Sequence, residues 1–196
     1  LAGVPLAFGQ FHFTDINPSS SNLDPADPDG ATGGRVNGLA ATPGNAMVYY
    51  AASEWGGIYK SPDGGRVWVR LDGHNPGATW DVAVNPADTD VVYATSLYDG
   101  RVDSIAGINT SSDAGLTWDH PATALPPAGL CNTDEAQTEP SAFGISIDPE
   151  HPEHVYIGTN CGLAVSDDGG STWVYRSTVA AYAAPETLDF VTPHAD

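Results

Sequence analysis

The sequence is poor in positive charge. Its 196 residues include 6 Lys and Arg residues against 25 Asp and Glu residues, and the formal net charge is -19 at pH 7. Proteins that bind nucleic acids use clustered Lys and Arg side chains to displace counterions from phosphates, and anionic lipid surfaces attract the same side chains. The composition therefore argues against a nucleic acid or a membrane surface as a partner.

Long apolar runs and helical periodicity are also missing. No segment approaches the ~18 consecutive apolar residues of a membrane helix, and residues 1–8 lack the basic flank of a secretion signal. The chain contains 22 Gly and 16 Pro residues, and no 3.6-residue pattern extends between them. Hydrophobic residues still make up 41% of the chain, which is enough to form a core. We therefore expect an all-β protein of short strands joined by turns.

One motif, S-x-D-x-G-x-x-W, occurs three times, at 61–68, 111–118 and 166–173. Successive copies begin 50 and 55 residues apart, and each follows a strand that ends in Pro and then a Val/Tyr strand. The Pro-terminated strands are 39–43, 82–86 and 145–149, and the Val/Tyr strands are 48–50, 91–93 and 155–157. A repeat of this length that contains four strands is typical of a β-propeller blade.

The repeat predicts the organisation of the whole chain. Residues 1–35 are expected to form an N-terminal strand and an Asp/Pro-rich linker, and residues 36–196 three to four blades of four-stranded antiparallel sheet. Residues 187–193 resemble the start of a further blade. Propellers close with about 4 to 8 blades, and an open arc exposes two sheet edges. We expect further blades, copies of the chain, another chain or the strand 8–16 to close the ring.

The motif resembles the Asp-box, or bacterial neuraminidase repeat, of sialidases, sortilin-type receptors and xyloglucan-cleaving glycoside hydrolases with two propellers. The resemblance implies a hairpin in which Asp accepts N–H bonds from the turn, Gly adopts a positive φ and Trp packs between sheets. It also implies that the motif residues are structural and lie on the outer rim. These residues are Ser61, Asp63, Gly65, Trp68, Ser111, Asp113, Gly115, Trp118, Ser166, Asp168, Gly170 and Trp173.

The resemblance also points to Glu54 as a catalytic candidate. In xyloglucan-cleaving enzymes a comparable turn between the second and third strands carries a catalytic Asp before two glycines, and Glu54 precedes Gly56 and Gly57 here. A glycosidase needs two carboxylates across the scissile bond, and in those enzymes the other one comes from a second propeller. Many noncatalytic relatives have a similar turn, so the resemblance leaves open whether this chain is an enzyme.

Aromatic residues beside carboxylates predict carbohydrate binding with or without catalysis. A ring face can hold the C–H face of a sugar while nearby carboxylates bind its hydroxyls. We expect the candidates to meet Glu54 on one face of the propeller. For Trp80, a core position at the start of a strand is the alternative. These ligand-binding candidates are Trp55, Trp80, Asp81, Tyr98 and Asp99.

The two cysteines, Cys131 and Cys161, suit one disulfide in an oxidising compartment. Two buried thiols are the alternative, since no C-x-x-C pair or nearby His set indicates a metal or redox centre.

The acidic run 22–30 offers oxygen ligands to calcium, but it lacks the spacing of a calcium loop and also suits a solvated linker. His151 and His154 fit a surface turn better than a metal pair. We therefore predict an extracellular or periplasmic protein that needs no cofactor or metal.

Two functions of different classes remain. The first is a carbohydrate-interacting propeller segment that can form part of a glycoside hydrolase. The second is a noncatalytic protein-binding or assembly propeller of the sortilin type. A glycan site requires a concave cluster of rings and carboxylates, whereas an assembly module requires its open edges to be covered by another chain.

Overall fold

The computed structural model describes residues 35–71, 73, 78–97, 107–130 and 140–176. Short strands and turns fill these ranges, as the Gly and Pro content predicts, and the helical structure within them is one 3-10 turn, Ala122–Ala124. The strands are β1 Val36–Thr42, β2 Asn45–Ser53, β3 Gly57–Ser61, β4 Val69–Arg70, β5 Thr79–Val84, β6 Val92–Ser96, β7 Gly107–Ser111, β8 Ala142–Ile147, β9 Val155–Thr159, β10 Gly162–Ser166 and β11 Val174–Arg176.

The strands form three antiparallel sheets, one for each copy of the repeat. The sheet orders are β1-β2-β3-β4, β5-β6-β7 and β8-β9-β10-β11. The four strands predicted for each unit are present in the first and third sheets. In the middle sheet the fourth strand is reduced to one bridge between Thr110 and Asp119, because Pro121 follows and has no N–H with which to extend the ladder.

The three motif segments, called box turns below, adopt one geometry. In the first, the Ser61 hydroxyl accepts the N–H of Gly65 at 2.8 Å and Asp63 Oδ1 accepts the N–H of Val67 at 2.8 Å. The other two box turns repeat both bonds. Gly65, Gly115 and Gly170 have φ values of 86°, 89° and 87°, where a side chain would be strained.

The sheets stack face to face and enclose two apolar cores. The first core lies between the first and second sheets and includes Tyr50, Ile58 and Val82; the second lies between the second and third sheets and includes Tyr93 and Ile157. The strands β1, β5 and β8 contact one another in sequence, so the first strand of each sheet is innermost. This stacking brings the starts of the three first strands close together.

The predicted packing of the motif Trp between sheets is observed in two box turns. Trp118 packs against the first core and Trp173, with 4% of its surface exposed, belongs to the second. Trp68 is half-buried and outside both cores. The Trp118 ring N–H donates to the Gly115 carbonyl at 3.0 Å, whereas the buried ring N–H of Trp173 has no partner within the described ranges.

Several predictions concern residues outside the described ranges and stay predictions. They are the N-terminal strand and linker in 1–34, the start of a further blade at 187–193, and ring closure by 8–16. In the described residues no helix is long and apolar enough to span a membrane.

Candidate functional site

Each innermost strand starts with a β-bulge. The pairing register shifts between Val36 and Gly38, between Thr79 and Asp81, and between Ala142 and Ile145. A bulge adds one residue to a strand and re-aims its side chains, and bulges are common beside active sites. The bulges of β5 and β8 contain Trp80 and Phe143, so both rings lie at the same end of the stacked sheets.

The turns between the second and third strands begin at this end of the sheets. The N–H groups of Glu54, Leu97 and Asn160 donate to the carbonyls of Arg35, Ala78 and Ser141 at 3.0, 2.8 and 3.0 Å. These three bonds occupy one position of the repeat, immediately before each innermost strand. The first residues of the three turns therefore share one face of the arc, and among Glu54, Leu97 and Asn160 it is Glu54, after the first sheet's second strand, that supplies a carboxylate.

Glu54 is held by Arg35. The Arg35 Nε lies 2.9 Å from Glu54 Oε2, and its Nη2 donates to Oε1 at 3.4 Å. The Glu54 side chain is 22% exposed and that of Arg35 is 66% exposed. Arg70 supports the same turn, because its Nε donates to the Gly56 carbonyl at 2.8 Å. A two-point ion pair fixes both the position and the plane of the Glu54 carboxylate.

The Arg35 guanidinium also connects Glu54 to the aromatic residues. Its central carbon lies 5.9 Å from the centre of the Trp80 ring, within the range of a cation–π contact. Trp80 in turn meets Phe143 edge to face, with ring centres 5.8 Å apart. Glu54, Arg35, Trp80 and Phe143, called the site row below, thus extend from the first sheet to the third.

The structure joins Glu54 and Trp80 through one guanidinium, that of Arg35, and the glycan site predicted for these two residues stays a prediction. It adds Arg35 and Phe143, which the sequence analysis did not name as site residues. Phe143 could have been found because it starts its blade as Trp80 does. Arg35 lies one residue before β1, in a segment assigned to a linker, and no pattern in the sequence marks it.

Asp81 has a role that its sequence position did not reveal. Its Oδ1 accepts the N–H of Val82 at 2.9 Å, and its Oδ2 accepts the N–H of Ile145 in the third sheet at 3.0 Å. A Cβ added to Gly38 of the first sheet would lie 2.5 Å from Oδ1. Burial raises the pKa of Asp81, and the two N–H bonds oppose that rise. The carboxylate therefore joins innermost strands, and its ligand-binding role stays a prediction.

Trp55 is half-buried next to Glu54. Tyr98, Asp99 and Cys131 lie outside the described residues, so the second part of the predicted glycan site and the disulfide to Cys161 stay predictions.

In the part of the chain that the structure describes, no three His, Cys, Asp or Glu residues are grouped so that they could hold a metal ion. His151 and His154 lie with ring centres 5.5 Å apart, beside Glu153 and Asp167 respectively. The calcium candidate at 22–30 is outside the described ranges.

Stacked antiparallel sheets with their first strands innermost are the blades of a β-propeller. The described chain is a partial all-β propeller of three such blades. Solved structures share this fold. An ancestral GH74 enzyme matches with a TM-score of 0.56 and 22% identity over 81% of this chain and 19% of that chain. The β-propeller domain of Swd1 from Myceliophteria thermophila matches with a TM-score of 0.53 and 13% identity over 79% of this chain and 45% of that chain.

Sequence comparison gives more specific relatives. The xyloglucanase of Hypocrea jecorina (strain QM6a) is 30% identical over 168 residues, which are 81% of this chain and 19% of that protein. The oligoxyloglucan-reducing end-specific xyloglucanase of Emericella nidulans is 28% identical over 151 residues, which are 72% of this chain and 18% of that protein. No family model matches the chain. The chain is thus homologous to xyloglucanases, which are β-propeller enzymes, and spans less than a fifth of the length of these relatives.

Proposed function

We propose that this chain is a carbohydrate-binding propeller segment of a glycoside hydrolase that acts on xyloglucan or a closely related β-glucan. The observation that carries the proposal is the similarity to xyloglucanases over most of the chain. The site row supports it, because a carboxylate and two aromatic rings lie together at the face where the bulges re-aim side chains. We also assign the box turns to the Asp-box repeat and the protein to an extracytoplasmic location.

Glu54 is the proposed acid or base of this site. Glycoside hydrolysis uses two carboxyl groups roughly 5 to 10 Å apart. Within the described residues, the site row contains one carboxylate, and the nearby Asp81 carboxylate already accepts two backbone N–H groups. The proposed reaction therefore requires a second carboxylate from outside the described residues. Arg35 would fix the orientation of the Glu54 carboxylate by contacting both of its oxygens.

Trp80 and Phe143 are the proposed sugar platform. Their edge-to-face contact fixes the orientation of both rings. Arg35 lies over Trp80, so its guanidinium and the ring together offer a hydrogen-bond donor and an apolar face to one sugar residue. This combination suits a neutral β-glucan, whose rings have apolar faces and equatorial hydroxyls.

The test is calorimetric titration of the chain with xyloglucan oligosaccharides and with maltodextrins of the same length. We expect saturable binding of the xyloglucan oligosaccharides, and Trp80→Ala should weaken it because the variant removes the ring face against which a sugar would pack. Trp68→Ala is the matched control, since Trp68 is another half-buried Trp, in a box turn, and it should leave affinity unchanged. Absence of saturable binding, or equal losses in both variants, would contradict the proposal.

Turnover is tested separately. With the second carboxylate present, Glu54→Gln should lower kcat by about a thousandfold or more and leave oligosaccharide affinity nearly unchanged, because a general acid–base contributes to the transition state alone. Release of reducing ends from xyloglucan measures this. Binding without any effect of Glu54→Gln on turnover would assign the acid or base to another residue, and loss of binding would show that Glu54 holds the ligand.

A further inference from the structure

A cavity lies between the second and third box turns. It is a cleft of about 300 Å³, and its lining includes Val91, Thr110, Asp119, Pro121, Gly169 and Gly170. The cleft lies at the box-turn end of the strands and the site row at the opposite end, so the proposed glycan-binding function does not use it.

The same place between the first and second sheets is occupied by a lysine. Lys60 Nζ donates to the carbonyl of Ala114 in the second box turn at 3.0 Å. The same carbonyl accepts the Tyr50 hydroxyl at 3.0 Å, and Lys60 Nζ lies 5.1 Å from the centre of the Tyr50 ring. An ammonium group therefore completes the joint between the first sheet and the second box turn.

Strand register identifies the matching residues of the next joint. Lys60 pairs with Tyr50 and Val69, and Thr110 pairs with Tyr93 and Asp119. Thr110 thus takes the position of Lys60, and Asp119 takes that of Val69. The Tyr93 hydroxyl donates to the Gly169 carbonyl at 2.9 Å, as Tyr50 does to Ala114. The tyrosine hydrogen bond is thus present at both interfaces. The lysine hydrogen bond is not, because Thr110 stands at the position of Lys60.

The replacement leaves acceptors without a cation. Between the second sheet and the third box turn, the Gly169 carbonyl accepts a hydrogen bond from the Tyr93 hydroxyl. The equivalent Ala114 carbonyl accepts two, from the Tyr50 hydroxyl and from the Lys60 ammonium. Among the described residues, the buried Thr110 Oγ1 has no hydrogen-bond partner. The exposed Asp119 adds a carboxylate at the cleft, where the first blade has an apolar Val69. Burial raises the pKa of Tyr93, and the negative charges of Asp168 and Asp88 raise it further.

We propose that the cleft between the second and third box turns binds a primary alkylammonium group, in the place that the Lys60 side chain occupies in the preceding joint. The ammonium would donate to the Gly169 carbonyl and the Thr110 hydroxyl, and Asp119 would supply the opposite charge. A lysine side chain of another protein and a free aliphatic amine share this chemistry. The chain's net charge of -19 attracts either of them.

The test is an amide NMR titration of the chain with butylammonium chloride at constant ionic strength, with butanol as the neutral isostere. Constant ionic strength is needed because an acidic protein attracts any cation without a specific site. We expect saturable shifts at the amides of 169–171 and 111–112 with the amine and none with the alcohol. A parallel titration with Nα-acetyl-lysine amide distinguishes the sources, since tighter binding than butylammonium indicates a lysine side chain as the occupant.

Three variants make the result specific. Thr110→Lys places an ammonium in the cleft as Lys60 does in its own joint, and it should weaken amine binding at least tenfold. Thr110→Val keeps the cleft open and should still bind the amine, although more weakly, because the hydroxyl that accepts a hydrogen bond from the ammonium is lost. Lys60→Thr should create a second amine site, seen as new saturable shifts at 114–116. An equal response to butanol, no saturable shift in the wild-type chain, or a Thr110→Lys variant that titrates like wild type would each overturn the proposal.

Discussion

His120 Nδ1 lies 2.6 Å from the carbonyl oxygen of Ile108, in a position where the first blade uses a backbone N–H group. In that blade the N–H of Leu71 donates to the Ile58 carbonyl at 2.8 Å. Pro121 stands at the position of Leu71 and has no N–H. The imidazole of His120 therefore supplies the hydrogen bond that the proline removes, and Nδ1 must carry the proton because a carbonyl can only accept.

This substitution predicts a pH-dependent stability. Burial lowers the pKa of His120, although the bond to Ile108 opposes the shift. The folded state therefore binds a proton less readily than the unfolded state. No stability is lost above the unfolded pKa of about 6.5, and stability falls as the pH drops below that value. Chemical denaturation between pH 7.5 and 5 should show this decline.

The control variant is His120→Asn, whose side-chain amide can reach the same carbonyl without titrating. Its free energy of unfolding should change less between pH 7.5 and 5 than that of the wild-type chain. His120→Ala should cost about 1 to 3 kcal/mol at pH 7.5, because it leaves a buried carbonyl without a donor. Identical pH profiles for His120→Asn and the wild-type chain would show that another group titrates.

Trp118 is predicted to stabilise the fold without contributing to the glycan site. Its ring packs against the core between the first two sheets and donates to the Gly115 carbonyl at 3.0 Å. Trp118→Ala should lower the free energy of unfolding by about 3 kcal/mol, as large core truncations do. Oligosaccharide affinity, measured by calorimetry on the folded fraction, should not change. Weaker binding at unchanged stability would place the box turn at the ligand face instead of the rim.

The disulfide between Cys131 and Cys161 is the third prediction. Cys161 is buried, with 7% of its surface exposed. A bond to Cys131 would close a loop of about 30 residues and stabilise the protein by about 3 to 4 kcal/mol in the chain-entropy model. Mass spectrometry of the nonreduced, alkylated chain should find one cross-linked peptide pair. Two alkylated cysteines would disprove the bond, and a melting temperature unaffected by reduction would show that the bond contributes little.

The sequence by itself determined the repeat and, through it, the local structure. Ser and Asp at fixed offsets supply the side-chain acceptors of each box turn, and their hydrogen bonds join residues two to four apart. The Pro-terminated and Val/Tyr strands could be predicted for the same reason: alternation and turn residues act within a few residues of one another. The placement of Glu54 and Trp80 on one face is a prediction from topology, because blades of the same strand order have equivalent turns at the same end.

Tertiary structure decided which side chain meets which. Arg35 contacts Glu54 because Val36 pairs with Ser53 across β1 and β2, and it contacts Trp80 because β1 and β5 are neighbouring innermost strands; nothing in the local sequence around Arg35 encodes either contact. Asp81 accepts the N–H of Ile145 in the third sheet because β5 and β8 are also neighbouring innermost strands. Strand register shows that Thr110 takes the position of Lys60 at the next interface between sheets. Contacts between residues about 20 to 60 positions apart depend on how the sheets stack, which a local pattern does not specify.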